Sequence, residues 1–229
     1  MEKNIYKNLY SDQKNLGDLA DSPRVRNMAA VIDGIRCENK NILDIGCYDG
    51  TFLSLIKNRE NNFFGLEASD WGVEQARRKG LNVQQYFFDD KAKLPYEDDF
   101  FDIVVAGEMI EHIYDTDFFL AEIRRILKPG GKLLISTPNI ASLGRRLLLL
   151  FGKNPIIELS PNESDSSGHI RYFTFETLRQ MLEKKEFKVI SATSDCVNFS
   201  KNGKIKSALL AKIFPTLGAS IICYAKRSS

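Results

Sequence analysis

Long hydrophobic runs are missing from this 229-residue chain. No stretch approaches the ~18 apolar residues of a membrane span, and the opening MEKNIYKNLYSDQKN lacks the apolar core of a secretory signal. Cysteine is sparse and scattered, at Cys37, Cys47, Cys196 and Cys223, with no C-x-x-C pair. That argues against a disulfide framework or zinc knuckle and for reduced thiols in a cytoplasmic protein. Histidine is scarcer, with only His112 and His169. An excess of one charge is lacking too: the net charge of +2 gives no global cause to expect nucleic acid as partner, although a local basic patch stays open. What is present is a composition 43% hydrophobic and 27% charged, enough for a sizeable core under an ordinary polar surface. At this length one domain is expected.

Strand-like and helix-like patterns alternate along the chain. Apolar runs at residues 42–45, 63–66, 83–88, 102–106 and 132–136 read as strands, with a sharp turn at Lys128-Pro-Gly-Gly131 before the fifth. Helical spacing is expected around residues 52–57, 74–79 and 118–127 between them. This rhythm predicts a Rossmann-like α/β fold, a mostly parallel sheet with helices on both faces. We expect a helical cap over residues 1–38, a core over 39–139, an insertion over 140–168 and closing strands with a helix over 169–229, all in one domain. The insertion includes an apolar helix at 143–151 with Arg145 and Arg146, for which burial is the default expectation and a substrate lid, a membrane-surface contact or a dimer face are the alternatives, and a polar loop at 160–168. A helix at 175–183 and strands at 187–193 and 220–226 complete the chain.

The most informative run is Asn41-Ile-Leu-Asp-Ile-Gly-Cys-Tyr-Asp-Gly-Thr-Phe-Leu53. A short strand ends at an acid, Asp44; a turn from Gly46 to Gly50 follows, and a helix begins at Thr51. Such a mouth binds nucleotide-like ligands at the open end of an α/β sheet. The glycines are spaced Gly-x-x-x-Gly, so the glycines that admit a pyrophosphate in dinucleotide sites are absent. The site suits a nucleoside without a pyrophosphate, with a carboxylate facing a cation, which is the character of S-adenosylmethionine.

Four segments in order, LDIGCYDGTFL, GLEAS, DKAKLPYEDDFFDIVVAGEMIEHI and LAEIRRILKPGGKLLISTPN, resemble the class I S-adenosylmethionine-dependent methyltransferases over about residues 38–195, and GHIRYFTFETLRQMLEKKEF adds a feature common near the end of such domains. The resemblance implies a seven-stranded sheet in the order 3-2-1-4-5-7-6 with the last strand antiparallel. It also implies S-adenosylhomocysteine as product. Gly46, Cys47, Tyr48 and Gly50 would lie against the cofactor's methionine portion, with Asp44 near its amino group. Glu67, followed by Ala68, would accept the ribose hydroxyls, and Asp90 or its neighbour Asp89 the adenine amino group. Gly107 and Glu108 would border the sulfonium. Cys47, Trp71, Phe87 and Phe88 read as packing residues, and Tyr6 and Tyr10 could close over the pocket.

Methyl transfer to a hydroxyl needs alignment of three atoms and a destination for the proton. Glu108-Met-Ile-Glu111-His112 falls beside the expected methyl, and on a helix its two acids and histidine would share one face. His112 with Glu111 is the expected catalytic pair. A divalent cation on Glu108, Glu111, His112 and His169 is an alternative, because this pattern resembles metal-using quinone-precursor and small-RNA 2′-O-methyltransferases. The leading expectation is O-methylation of a small or glycan-like hydroxylated acceptor, without nucleic acid. A metal-dependent RNA 2′-O-methyltransferase and a non-catalytic S-adenosylmethionine-binding module are the competing readings. Oligomeric state is not encoded in any feature of the sequence.

Overall fold

The computed structural model describes residues 19–35, 38–57, 60–88, 93–159, 168–200 and 204–228. The expected calls on Tyr6, Tyr10, Asp89 and Asp90 and on most of the polar loop lie outside these residues.

Three parallel strands form the sheet's first half: β1 (Asn41–Ile45), β2 (Asn62–Glu67) and β3 (Asn82–Gln85). Beyond them come β4 (Phe101–Gly107), β5 (Leu127–Pro138), β6 (Phe187–Thr193) and β9 (Ser220–Arg227). The order across the sheet is β3-β2-β1-β4-β5-β9-β6, with β9 antiparallel to both neighbours, so β9 stands where the expected order has strand 7. A separate hairpin of β7 (Val197–Asn198) and β8 (Lys206–Ser207) interrupts the approach to β9.

Both faces of the central strands are buried, as a parallel sheet requires. In β1, Leu43 and Ile45 point into one core with Phe101, Leu120, Ile123 and Leu178, whereas Ile42 points into another with Met28, Leu53, Val73 and Val105. The first core packs against α4 (Thr116–Ile126) and α6 (Phe175–Lys184). The second lies under α1 (Pro23–Gly34), α2 (Thr51–Ile56) and α3 (Asp70–Arg78). Local signals set the helix starts. Pro23 occupies the first turn of α1. Ser69 accepts from Gly72 N at 3.0 Å and Asp115 from Phe118 N at 2.9 Å, each filling an orphan donor at a helix N-terminus. None of the described helices is long and apolar enough to cross a membrane.

Three expectations are corrected. The third strand stops at Gln85 rather than residue 88, because its sole neighbour β2 ends opposite it, at Glu67; Phe88 instead packs edge-on against Tyr86 and Phe119, with ring centroids 5.1 and 6.3 Å away. The Lys128–Gly131 turn lies inside β5 rather than before it. Pairing to β4 jumps from Phe101↔Leu127 to Ile103↔Lys132, and Gly130, at φ +76°, lets the chain make the excursion. The apolar helix α5 (Leu143–Leu150) is not buried. None of its residues is, and Leu150 and the following Phe151 are 76% and 73% exposed.

Candidate active site

The carboxyl ends of β1, β2 and β4 meet where the parallel sheet opens. Asp44 comes from β1 and is buried. Burial, reinforced by the nearby Glu67 carboxylate and opposed by Arg24, pushes its carboxyl up to about 8. The chain then turns through Gly46, whose N–H donates to the Leu66 carbonyl at 2.8 Å and whose φ is +74°. A Cβ on Gly46 would come within 2.3 Å of Met109 Sδ. Gly50 caps α2 at φ +76°, and a Cβ there would meet Leu81 Cδ1 at 2.3 Å and Ala76 Cβ at 3.0 Å. Both positions therefore demand glycine for backbone and space together.

Glu67 ties the turn to β2. Its Oε2 accepts from Tyr48 N and its Oε1 from Ser69 N, both at 2.8 Å. Tyr48 sits at φ +48°, and its ring packs on Trp71 with centroids 5.1 Å apart. Each carboxylate oxygen of Glu67 retains a second lone pair, so this fixed group can still accept from a ligand. Cys47 is buried against Gly65, and burial pushes its thiol up, so it is packing rather than a nucleophile. The Ala68 carbonyl accepts from Gln85 Nε2 at 3.2 Å.

At the end of β4, Gly107 faces Arg24 and Met28 of α1. Glu108 follows at φ +54°, and its N–H donates to the Ser136 carbonyl at 2.9 Å. This left-handed residue breaks the expected helix. Glu111 and His112 sit in a single 3₁₀ turn (Ile110–His112), and Glu108 turns toward Ser136 Oγ at 3.2 Å and Arg24 Nε at 3.7 Å. Burial raises the Glu108 carboxyl above its ordinary value despite Arg24.

Glu111 is buried, and its Oε2 accepts from Thr137 Oγ1 at 2.9 Å. Its Oε1 has no hydrogen-bond partner among the described residues. Burial, with the Glu108 charge adding to it, raises the Glu111 carboxyl well above the usual range. His112 Nδ1 lies 3.1 Å from the Gly168 carbonyl, so Nδ1 carries the hydrogen and Nε2 the lone pair. Burial beside His169 drops the His112 imidazole to about 4, which keeps it neutral. The two rings lie 4.9 Å apart. His169 Nε2 is 3.9 Å from Glu111 Oε1, and its Nδ1 is 3.4 Å from Glu158 Oε1.

The fold thus gathers Asp44, Gly46, Cys47, Tyr48, Gly50, Glu67, Ala68, Gly107 and Glu108 along one open edge, with Glu111, His112 and His169 beside them. Ligand atoms of these last three lie within 4.8 Å of one another. Glu108 is not part of that cluster. Sequence reasoning missed Arg24, Ser136, Thr137 and Glu158. Arg24 lies in a helix legible only as apolar spacing, and Glu158 reaches His169 from a segment without a motif. The paired hydroxyls of STPN were the one available signal for Ser136 and Thr137.

Residues 22–192 match a family described as "Methyltransferase domain". Over 104 residues the chain is 35% identical to a probable S-adenosylmethionine-dependent methyltransferase of Mycolicibacterium smegmatis, covering 45% of this chain and 40% of that protein. It is 27% identical over 184 residues to a ubiquinone biosynthesis O-methyltransferase of Bartonella bacilliformis, covering 75% and 72% of the two chains. The chain spans about half or less of the first relatives it matches. Among solved structures, a Thermotoga maritima S-adenosylmethionine-dependent methyltransferase, described as a possible histamine N-methyltransferase, superposes with a TM-score of 0.63 at 20% identity over 89% of each chain. That likeness is one of fold.

Proposed function

The chain belongs to the S-adenosylmethionine-dependent methyltransferases, and from that premise we propose that it methylates a hydroxyl oxygen of a small or glycan-like acceptor. The observation that carries this reading is the His112 Nδ1 bond to the Gly168 carbonyl, which puts the lone pair of a neutral imidazole on Nε2 in the turn that follows β4. As the acceptor oxygen bonds to the methyl carbon, the carbon–sulfur bond breaks and the sulfonium leaves as the neutral thioether of S-adenosylhomocysteine. The hydroxyl proton passes to His112 Nε2, and the Nδ1 bond to the Gly168 carbonyl steadies the resulting imidazolium. A positioned base of this kind is worth about 10²- to 10⁴-fold in rate. The name of the Bartonella relative supports oxygen as the acceptor atom.

In this reading Asp44, Gly46, Cys47, Tyr48 and Gly50 embrace the methionine and adenosine portions, and Glu67 with Ala68 meets the ribose. Asp89 or Asp90 meets the adenine, and Gly107 and Glu108 border the sulfonium. The insertion would contribute to the acceptor side from its far end, where Glu158 lies beside His169.

The cluster of Glu111, His112 and His169 also favours a metal-assisted version of the same transfer. The unpartnered Glu111 Oε1 and two neutral imidazoles are a donor set suited to a borderline divalent ion, with Glu158 orienting His169 from behind. Bound there, such an ion would acidify the acceptor hydroxyl.

The test is turnover of S-adenosylmethionine against a panel of phenols, catechols and sugars, with and without chelator, for the wild type and His112→Asn. We expect a hydroxylated acceptor to be methylated, and His112→Asn to lose turnover while still binding S-adenosylhomocysteine. Turnover only on amines, or an unimpaired His112→Asn, would sink the hydroxyl reading.

A further inference from the structure

Charge along the chain is divided in a way its total hides. Residues 140–157 contain three basic and no acidic residues, and residues 196–219 contain four basic and none acidic. The rest of the chain holds 25 basic and 30 acidic residues, so a net charge of +2 combines a +7 part with a −5 part. The fold brings these two stretches together. The first forms α5, and the second forms the β7–β8 hairpin and α7 (Ala208–Ile213); both helices pack on β7. Arg146 Nη2 donates to the Thr216 carbonyl at 3.3 Å, joining α5 to the turn after α7.

The same region holds most of the exposed large apolar side chains among the described residues. Leu149, Leu150 and Phe151 stand out from α5 and its end, and Leu209, Ile213 and Phe214 from α7 and its end. Arg146, Lys153, Lys206 and Lys212 are exposed among them. Isolated apolar side chains are ordinary on a protein surface, but a set concentrated on two helices that share β7, with basic residues among them, suits an interaction face.

We propose that α5, α7 and the β7–β8 hairpin form a docking face for an anionic lipid bilayer. Leucine, isoleucine and phenylalanine would enter the acyl boundary while arginine and lysine reach the headgroups, the composition of a helix that lies in a membrane interface rather than crossing it. A second copy of the chain suits this face less well, because two-fold symmetry would set Arg146, Lys153, Lys206 and Lys212 against the same four residues of the other copy. The acid-free composition selects a negatively charged occupant, and the apolar projections give it a depth to enter. This inference does not depend on which acceptor is methylated.

The test is co-sedimentation of the full chain with vesicles of phosphatidylcholine alone or with 30% phosphatidylglycerol added (on the order of one anionic lipid in three). Wild type should sediment with the anionic vesicles only, and 0.5 M salt (a Debye length of roughly 4 Å) should release much of it. Leu150→Glu with Leu209→Glu should lower partitioning at least about tenfold. Lys206→Gln with Lys212→Gln should lower it about fivefold per charge removed. Far-UV circular dichroism of each variant confirms folding, and because the side chains are exposed the variants need not disturb the core. Absence of wild-type binding, or binding indifferent to both pairs of substitutions, overturns the proposal. So does a dimer in sedimentation equilibrium that Leu150→Glu dissociates, which would assign the face to a second copy. Retention on single-stranded RNA in place of vesicles, abolished by the lysine substitutions, would likewise overturn it.

Discussion

The buried Oε1 of Glu111 lies 3.9 Å from Nε2 of His169, too far for a direct hydrogen bond. Among the described residues this oxygen has no hydrogen-bond partner, which is costly in a buried site and makes it a candidate ligand atom. We predict that Mn²⁺ or Zn²⁺ raises the melting temperature of the wild type and fails to do so for Glu111→Gln, since only a ligand bound to the folded state shifts the melt. At a metal concentration 100-fold above the dissociation constant the gain would be about 2.7 kcal/mol. Equal shifts in both proteins would place the ion elsewhere.

Asp44 makes a prediction about protons. Its folded-state carboxyl is raised from 3.8 to about 8 by burial and by Glu67, so the empty protein holds that proton across neutral pH. A raised acid contributes stability that is full below pH 4 and is lost as pH rises through 8. A cationic ligand reverses the preference and expels the proton. Affinity for S-adenosylmethionine should therefore climb with pH, at most about tenfold per unit, and level off above pH 8. Calorimetry in buffers of differing ionisation enthalpy should detect proton release near pH 7. Asp44→Asn should blunt both effects; an unchanged pH slope in that variant would remove Asp44 from the account.

The parts of the site that were legible in the sequence are those where one residue type has one physical job. Gly46 and Gly50 must be glycine because positive φ and a crowded neighbour coincide there, and the acids of β1 and β2 fall at strand ends that alternation already locates. Glu108 was misassigned to a helical face because nothing in EMIEH signals that its φ is positive. Burial and exposure of α5 stayed open in the sequence for a different reason. LGRRLLLLFGK reads the same whether its apolar side meets a core or a bilayer, and periodicity reports amphipathicity, never the identity of the apolar phase. Arg24 reaches Ser136 through tertiary packing across 112 residues, which no local pattern encodes, and Glu158 reaches His169 across eleven residues of a segment that carries no motif.

Glu67 should matter for two separable reasons. It would meet the ribose, and it also holds the Tyr48 and Ser69 amides that shape the turn. Glu67→Ala removes both functions and leaves two amides needing partners, at about 1–3 kcal/mol each where water cannot reach. Glu67→Gln keeps an acceptor for one amide and loses the charge. We expect S-adenosylhomocysteine affinity to fall about 100-fold or more in the alanine variant, and by a smaller factor in the glutamine variant. Identical losses would mean that the charge, not the turn, is what the ligand requires.

The last prediction sets two glycines against each other. Gly50 has φ +76°, and its added Cβ would strike Leu81 and Ala76, the packing that seats α2 against α3. Left-handed strain of about 1–2 kcal/mol and overpacking of about 1–3 kcal/mol should both fall on Gly50→Ala. Gly144 is a glycine within α5 with nothing within 4 Å of its missing Cβ and no positive φ. There alanine only removes unfolded-state entropy, so Gly144→Ala should stabilise by about 0.4–1 kcal/mol. Urea melts of the two variants should move in opposite directions from the wild type. A stable Gly50→Ala would mean that the turn has another conformation available, and with it that the cofactor edge is not preformed.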